Sequence, residues 1–115
     1  MNEESSPELT VQGGVLVVRC AAEFDSVAVS GIRSKLVEAI QSHPQDIVFD
    51  FAETTFIDSS GIGLCVFCYK KLSSAGHRVG IAGLNGQPKS IIELSQIDKT
   101  VPLFDDVDQF VSNAD

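Results

Sequence analysis

A carboxylate, two hydroxyls and two glycines stand together in the run Asp58-Ser59-Ser60-Gly61-Ile62-Gly63, directly after Phe56-Ile57. The run falls where an apolar segment gives way to a helix pattern. A hydroxyl at such a junction is a natural phosphoacceptor, because free backbone N–H groups and the positive dipole end favour an anion there by roughly 0.3–1 kcal/mol. Asp-Ser-Ser is also what an ordinary N-cap looks like, with Gly61 allowing close packing on a sheet. Against that plain reading, each glycine costs about 1 kcal/mol relative to alanine in a first helical turn, so a purely structural start is not expected to carry both. Gly61 and Gly63 are expected to keep the backbone around the hydroxyls bare.

Other reactive residues suggest other chemistries, and each lacks a component. Cys65-x-x-Cys68 has the spacing of a redox or zinc pair, yet both cysteines fall on the apolar face of the same helix. Zinc usually takes four ligands, and His43 and His77 lie at helix ends with no paired spacing. Asp50, at a strand end, could be a phosphoaspartate with magnesium held by Glu23 and Asp25. An opening hairpin breaks the regular alternation which that arrangement needs, and no lysine sits beside Pro102. A hydrolase reading of Ser59 lacks a Gly-x-Ser-x-Gly turn and a histidine with an implied carboxylate.

The elements that must position the motif follow from periodicity. Leu9–Gln12 and Val15–Ala21 read as strands joined through Gly13-Gly14, a hairpin signal. A helix is predicted over Ser26–Ser42, with Val29, Ile32, Leu36, Val37 and Ile40 on one apolar face. Asp46–Phe51 reads as a buried strand. The helix over Ser60–Ala75 carries Gly61, Leu64, Cys65, Cys68, Leu72 and Ala75 on its core face, and Gly76 stops it. Ile62, Val66 and Phe67 fall off that stripe and toward solvent, which suggests a docking patch beside the acceptor; the alternative is cover by the loop after Gly83. Arg78–Ala82 is the next strand, Pro88 opens a short helix ending near Leu94, Val101–Leu103 is a last strand, and Asp105–Val111 a terminal helix. The pattern implies one α/β domain, a mixed sheet of about four to five strands after the hairpin, packed with about four helices. The domain is expected to span 8–112, with 1–7 and 113–115 flexible.

A chain of 115 residues with 43% hydrophobic content suits a single compact core. The formal charge of -8 disfavours nucleic acid and anionic membranes as partners. No apolar run approaches the roughly 18 residues of a bilayer span, and the polar opening lacks the marks of a signal peptide. A cytoplasmic location is expected. The odd count of cysteines, Cys20, Cys65 and Cys68, within apolar segments agrees with reduced thiols in a core.

Phe-Ile-Asp-Ser-Ser-Gly-Ile-Gly after an apolar strand resembles the phosphorylation loop of STAS domains, specifically the anti-sigma factor antagonists of bacterial partner-switching systems. Glu23-Phe24-Asp25 before a helix is similar to the family's Glu-x-Asp segment, and Ile91–Ile97 to its late helix and turn, except that Ser95-Gln96 stands where relatives commonly have glycine. That turn is expected to differ in shape. The resemblance implies that Ser59 is the acceptor, with Ser60 second, and that Asp58 caps the helix and positions the hydroxyl while Gly61 and Gly63 admit the kinase backbone. It places Glu23 and Asp25 near the loop as partner contacts, although Asp25 also reads as the cap of the first helix. The implied partners are an ATP-binding serine kinase of the GHKL type that doubles as the anti-sigma factor, and a serine phosphatase. The protein itself is then substrate and ligand rather than enzyme, a monomer when free, without cofactor or metal. A STAS-like scaffold or small-ligand subunit that is never phosphorylated is the competing reading.

Overall fold

The computed structural model describes residues 6–113. The termini expected to be flexible thus lie mostly outside the described residues, and Asn113 is held through its carbonyl by Arg78. Strands β1 (Glu8–Gln12) and β2 (Val15–Arg19) form the antiparallel hairpin, with Gly13 and Gly14 at φ 57° and 79°. Two successive left-handed residues match the twist of a tight hairpin, and glycine adopts them without a Cβ penalty. Strands β4 (Ile47–Asp50), β6 (Val79–Ala82) and β7 (Leu103–Phe104) add in parallel, giving the order β1-β2-β4-β6-β7. A separate pair of two-residue strands, β3 (Glu23–Phe24) and β5 (Phe56–Ile57), is also parallel.

The central strands are buried on both faces, and their alternation sorts two cores. Leu16, Val18, Ile47, Phe49, Val79 and Ile81 point to the side covered by α1 (Ser26–Ser42), α2 (Ser59–Ser73) and α3 (Gly86–Leu94). Val15, Val17, Val48 and Ala82 meet Phe110 of α4 (Val107–Ser112) on the other. So short a helix needs anchoring, and Arg78 supplies it. Its guanidinium lies 4.0 Å over the Phe110 ring and donates to the Phe110 and Asn113 carbonyls and to Asp46. Gly80 makes room for the Phe104–Phe110 pair, whose atoms would stand 2.7–2.8 Å from any Cβ there.

Several boundaries differ from expectation for local reasons. Helix α2 begins one residue earlier, at Ser59, and ends at Ser73; Gly76, at φ 86°, reverses the chain and leaves Ala75 exposed rather than on the core stripe. Val37 is only half-buried. The last strand lies at Leu103–Phe104 instead of Val101–Leu103, because Val101 is buried behind a single 3-10 turn (Ile97–Lys99) and Pro102 contributes only its carbonyl, which accepts from Ile81. Helix α4 starts at Val107, where Asp106 caps the Gln109 N–H and Gln109 Oε1 accepts from Asp105 N–H, a reciprocal cap.

The turn after α3 contains a non-glycine residue in left-handed backbone: Gln96 has φ 64° and ψ 21°. A side chain in that region costs about 1–2 kcal/mol, part of which glycine would give back through its freer unfolded chain. Gln96→Gly is therefore expected to stabilise the domain by about 0.5–1 kcal/mol in urea denaturation; a loss of stability would show that the exposed Gln96 side chain contributes more than its backbone costs.

Candidate functional site

The β3–β5 pair assembles the site. Phe24 lies opposite Ile57 and Glu23 opposite Phe56, in parallel register. Phe24 and Ile57 are buried, and Phe24 meets Phe51 edge to face at 5.7 Å. The loop leading into β5 is tied to the chain leading into β3: the buried Thr54 hydroxyl donates to the Ala21 carbonyl at 2.8 Å, and the Thr55 N–H to that of Ala22 at 2.8 Å.

Beyond each strand an aspartate caps a helix. Asp25 Oδ1 accepts from the Ala28 N–H at 3.1 Å, and Asp58 Oδ1 from the Ser60 N–H at 2.9 Å. Since paired strands run about 5 Å apart, α1 and α2 start side by side with their positive ends toward one surface. Ser59 is the first residue of α2 and exposed, whereas Ser60 is half-buried with its N–H engaged by the cap. Glu23, opposite Phe56 in the strand pair, is exposed, as are Phe56 and Val27. An open cleft of about 550 Å³ borders this ledge, with Glu23, Asp25, Val27 and Lys35 in its wall.

Two assignments from the sequence change. Gly61 is buried, and a Cβ there would sit 2.8 Å from the Phe24 ring and 2.9 Å from the Phe24 carbonyl oxygen. Its role is to let α2 approach β3, so no kinase backbone can reach it. Gly63 is exposed with open space around it and remains accessible. Ile62, Val66 and Phe67, expected at the surface, are half-buried. Ile62 and Phe67 pack on the main core, and Arg33 of α1 lies 4.9 Å over the Phe67 ring, so helix α1 provides cover that a single helical wheel cannot show.

Sequence reasoning missed the strand pair and Gln87. The pair had a signal: Phe24-Asp25-Ser26 and Ile57-Asp58-Ser59 are the same apolar-Asp-Ser triplet. Gln87 had none, because its side chain bonds to the Ile57 backbone 30 residues away, accepting from the N–H at 2.9 Å and donating to the carbonyl at 3.0 Å.

The cysteines are buried and free. Burial pushes the Cys68 thiol up to about 12, despite Arg33, and drives Cys20 and Cys65 well above their ordinary value, reinforced by Cys65 beside Cys20 and Cys68 beside Cys65. Neutral thiols of this kind neither ligate zinc nor attack disulfides. Among the described residues no group of three or more His, Cys, Asp or Glu could hold a metal, and no helix is long and apolar enough to cross a membrane.

The fold is a small mixed-sheet α/β domain with an exposed serine at the start of a capped helix. The STAS domain model matches residues 6–110, and the chain belongs to that family. It is 29% identical over 99 residues to an anti-sigma F factor antagonist of Paenibacillus polymyxa, covering 85% of each chain. Its fold is that of phosphorylated SpoIIAA from Bacillus, at TM-score 0.73 and 24% identity over 93% of this chain and 97% of that one. An anti-sigma factor antagonist from Mycobacterium paratuberculosis superposes at TM-score 0.83 with 23% identity, over 93% of this chain and 91% of that one.

The two glycines are expected to separate on substitution. Gly61→Ala should destabilise the domain by about 1–3 kcal/mol through overpacking against Phe24, while Gly63→Ala should leave stability unchanged or raise it by up to about 1 kcal/mol; similar melting shifts for both would contradict the packing role. The thiols predict alkaline sensitivity. The Cys68 contribution is complete below pH 9 and lost as pH rises toward about 12; Cys20 and Cys65, also raised, add to the decline in the same direction, each thiol steepening it by up to about 1.4 kcal/mol per pH unit. Urea denaturation between pH 8 and pH 10.5, about the window concerned, checks this, and rapid labelling of native thiols by Ellman's reagent would contradict it.

Proposed function

We propose that this protein is a phosphorylation-controlled anti-sigma factor antagonist: unphosphorylated, it binds an ATP-binding serine kinase that sequesters a client, and phosphorylation of Ser59 ends the complex. The observation that carries this is the exposed Ser59 hydroxyl on the first residue of a capped helix, beside the Glu23–Asp25 ledge. The likeness to the Paenibacillus antagonist supports it, as does a fold shared with SpoIIAA, whose solved structures include an unphosphorylated form and a phosphorylated form from Bacillus. The kinase is of the GHKL type, a serine phosphatase restores the hydroxyl, and Ser60 is the lesser acceptor. Glu23 and Asp25 contribute polar contacts, Phe56 and Val27 exposed apolar area, and Gly63 a bare stretch of helix; the half-buried Ile62, Val66 and Phe67 contribute only their exposed edges. The chain acts as substrate and ligand within the cytoplasm.

Charge accounts for release. A phosphate adds about -1.5 to -2 at Ser59, next to Asp58 and near Asp25 and Glu23 on a chain already at -8. An interface closing over that surface must desolvate the new charge against carboxylates, which costs several kcal/mol. Inside the free domain the two helix dipoles offset part of the same repulsion. The fold can remain unchanged while the interface fails.

Ser59→Ala and Ser59→Asp baits in lysate of the native host test the reading, with captured proteins identified by mass spectrometry. The alanine form is expected to retain an ATP-binding serine kinase and the aspartate form to lose at least tenfold in affinity, about 1.4 kcal/mol. Equal capture by both forms would favour the unswitched scaffold, with Ser59 an ordinary helix start.

A further inference from the structure

Strand β5 has two edges, and β3 occupies one of them. In an extended strand the N–H and C=O of one residue point to the same side, so a residue not paired to a neighbour leaves both groups open. Ile57 presents such a pair, and the Gln87 carboxamide closes it with both of its own groups, at 2.9 Å and 3.0 Å. One side chain thus takes the place of a third strand. It comes from the first turn of α3, which follows β6, and so connects that helix to the residue immediately before the Asp58 cap. Ile57 is buried while Gln87 itself is exposed, and the two bonds between them are part-buried. Leu84 and Ile91, on either side of Gln87 in sequence, pack against the main core and hold its backbone in place.

We propose that Gln87 is a positioning residue for the Ser59 switch: by clamping both backbone groups of Ile57, it holds Asp58 and Ser59 in the one arrangement a kinase can use. This rests on the reading of Ser59 as phosphoacceptor. Without the clamp, β5 keeps its pairing to β3, the buried Ile57 side chain and the Thr54 and Thr55 ties, but its second edge is released just before Asp58, and the loop beyond samples orientations in which the hydroxyl is displaced. When only a fraction of molecules is competent, apparent affinity falls by that fraction while turnover of the bound, competent form is preserved. A residue serving stability alone would lower the melting point and leave both constants unchanged at temperatures well below it.

Two measurements on the full chain test the clamp. Initial rates of Ser59 labelling are taken against protein concentration in native-host lysate supplied with γ-labelled ATP, with the site confirmed by mass spectrometry. Gln87→Ala should raise the apparent KM about tenfold and hold maximal rate within about twofold. Separately, hydrogen exchange at Ser60 and Gly61, whose N–H groups donate to Asp58, should quicken at least tenfold in Gln87→Ala, with Val48 and Phe49 unaffected. Gln87→Glu refines the second test, since its carboxylate accepts from the Ile57 N–H but repels the Ile57 carbonyl until protonated near pH 4.3, roughly; protection should therefore return as pH falls through that value. An unchanged KM, or exchange at Ser60 and Gly61 that rises no more than in β4, overturns the proposal. Absence of Ser59 labelling in the wild-type chain would instead overturn the phosphoacceptor reading and with it the kinetic role, while the exchange arm alone would still uphold or refute the clamp.

Discussion

The parallel register between Glu23–Phe24 and Phe56–Ile57 is the constraint on which the site depends. Two residues per strand form too small a sheet to persist alone. It persists because Phe24 and Ile57 are buried in the main core and because Thr54 and Thr55 lash the incoming loop to the carbonyls of Ala21 and Ala22. Given that register, two aspartates emerge at adjacent strand ends, each caps a helix, and both helices direct their positive ends to one surface. A slip of one residue would turn Ile57 outward and carry Ser59 away from the ledge.

Two electrostatic effects of opposite sign meet at that surface. The helix ends favour an anion by roughly 0.3–1 kcal/mol each when exposed. The carboxylates of Asp58, Asp25 and Glu23 disfavour one, weakly in water and strongly once a partner excludes water. In the free domain the terms are of similar size, so the phosphate proposed for Ser59 would be tolerated. Under an interface the effective dielectric drops and the repulsion grows several-fold. A local balance of this kind allows binding to change without any change of fold.

The rest of the molecule supplies stiffness. Strands β2, β4 and β6 are buried on both faces, and their alternation separates a large core under α1, α2 and α3 from a small one under α4. Glycine appears where backbone or aromatic rings must come closer than a Cβ allows, at Gly61 against Phe24 and at Gly80 against Phe104 and Phe110. The cysteines belong to this packing: burial keeps them protonated and silent. Ser59 is thus mounted on a frame that packing and hydrogen bonds hold.

Local chemistry in the sequence determined the hairpin at Gly13-Gly14, the four helices, the buried parallel strands and the Asp58-Ser59 junction, because caps, turns and hydrophobic periods act within a few residues. It also carried the family resemblance. Only the tertiary structure decided which helix covers Phe67, why Gly61 is glycine, that β3 and β5 pair, and that Gln87 holds Ile57. Each of those is a contact between residues far apart in the chain. A helical period states which face is apolar but not what lies against it, and a polar side chain such as Gln87 carries no pattern that names a backbone partner 30 residues away.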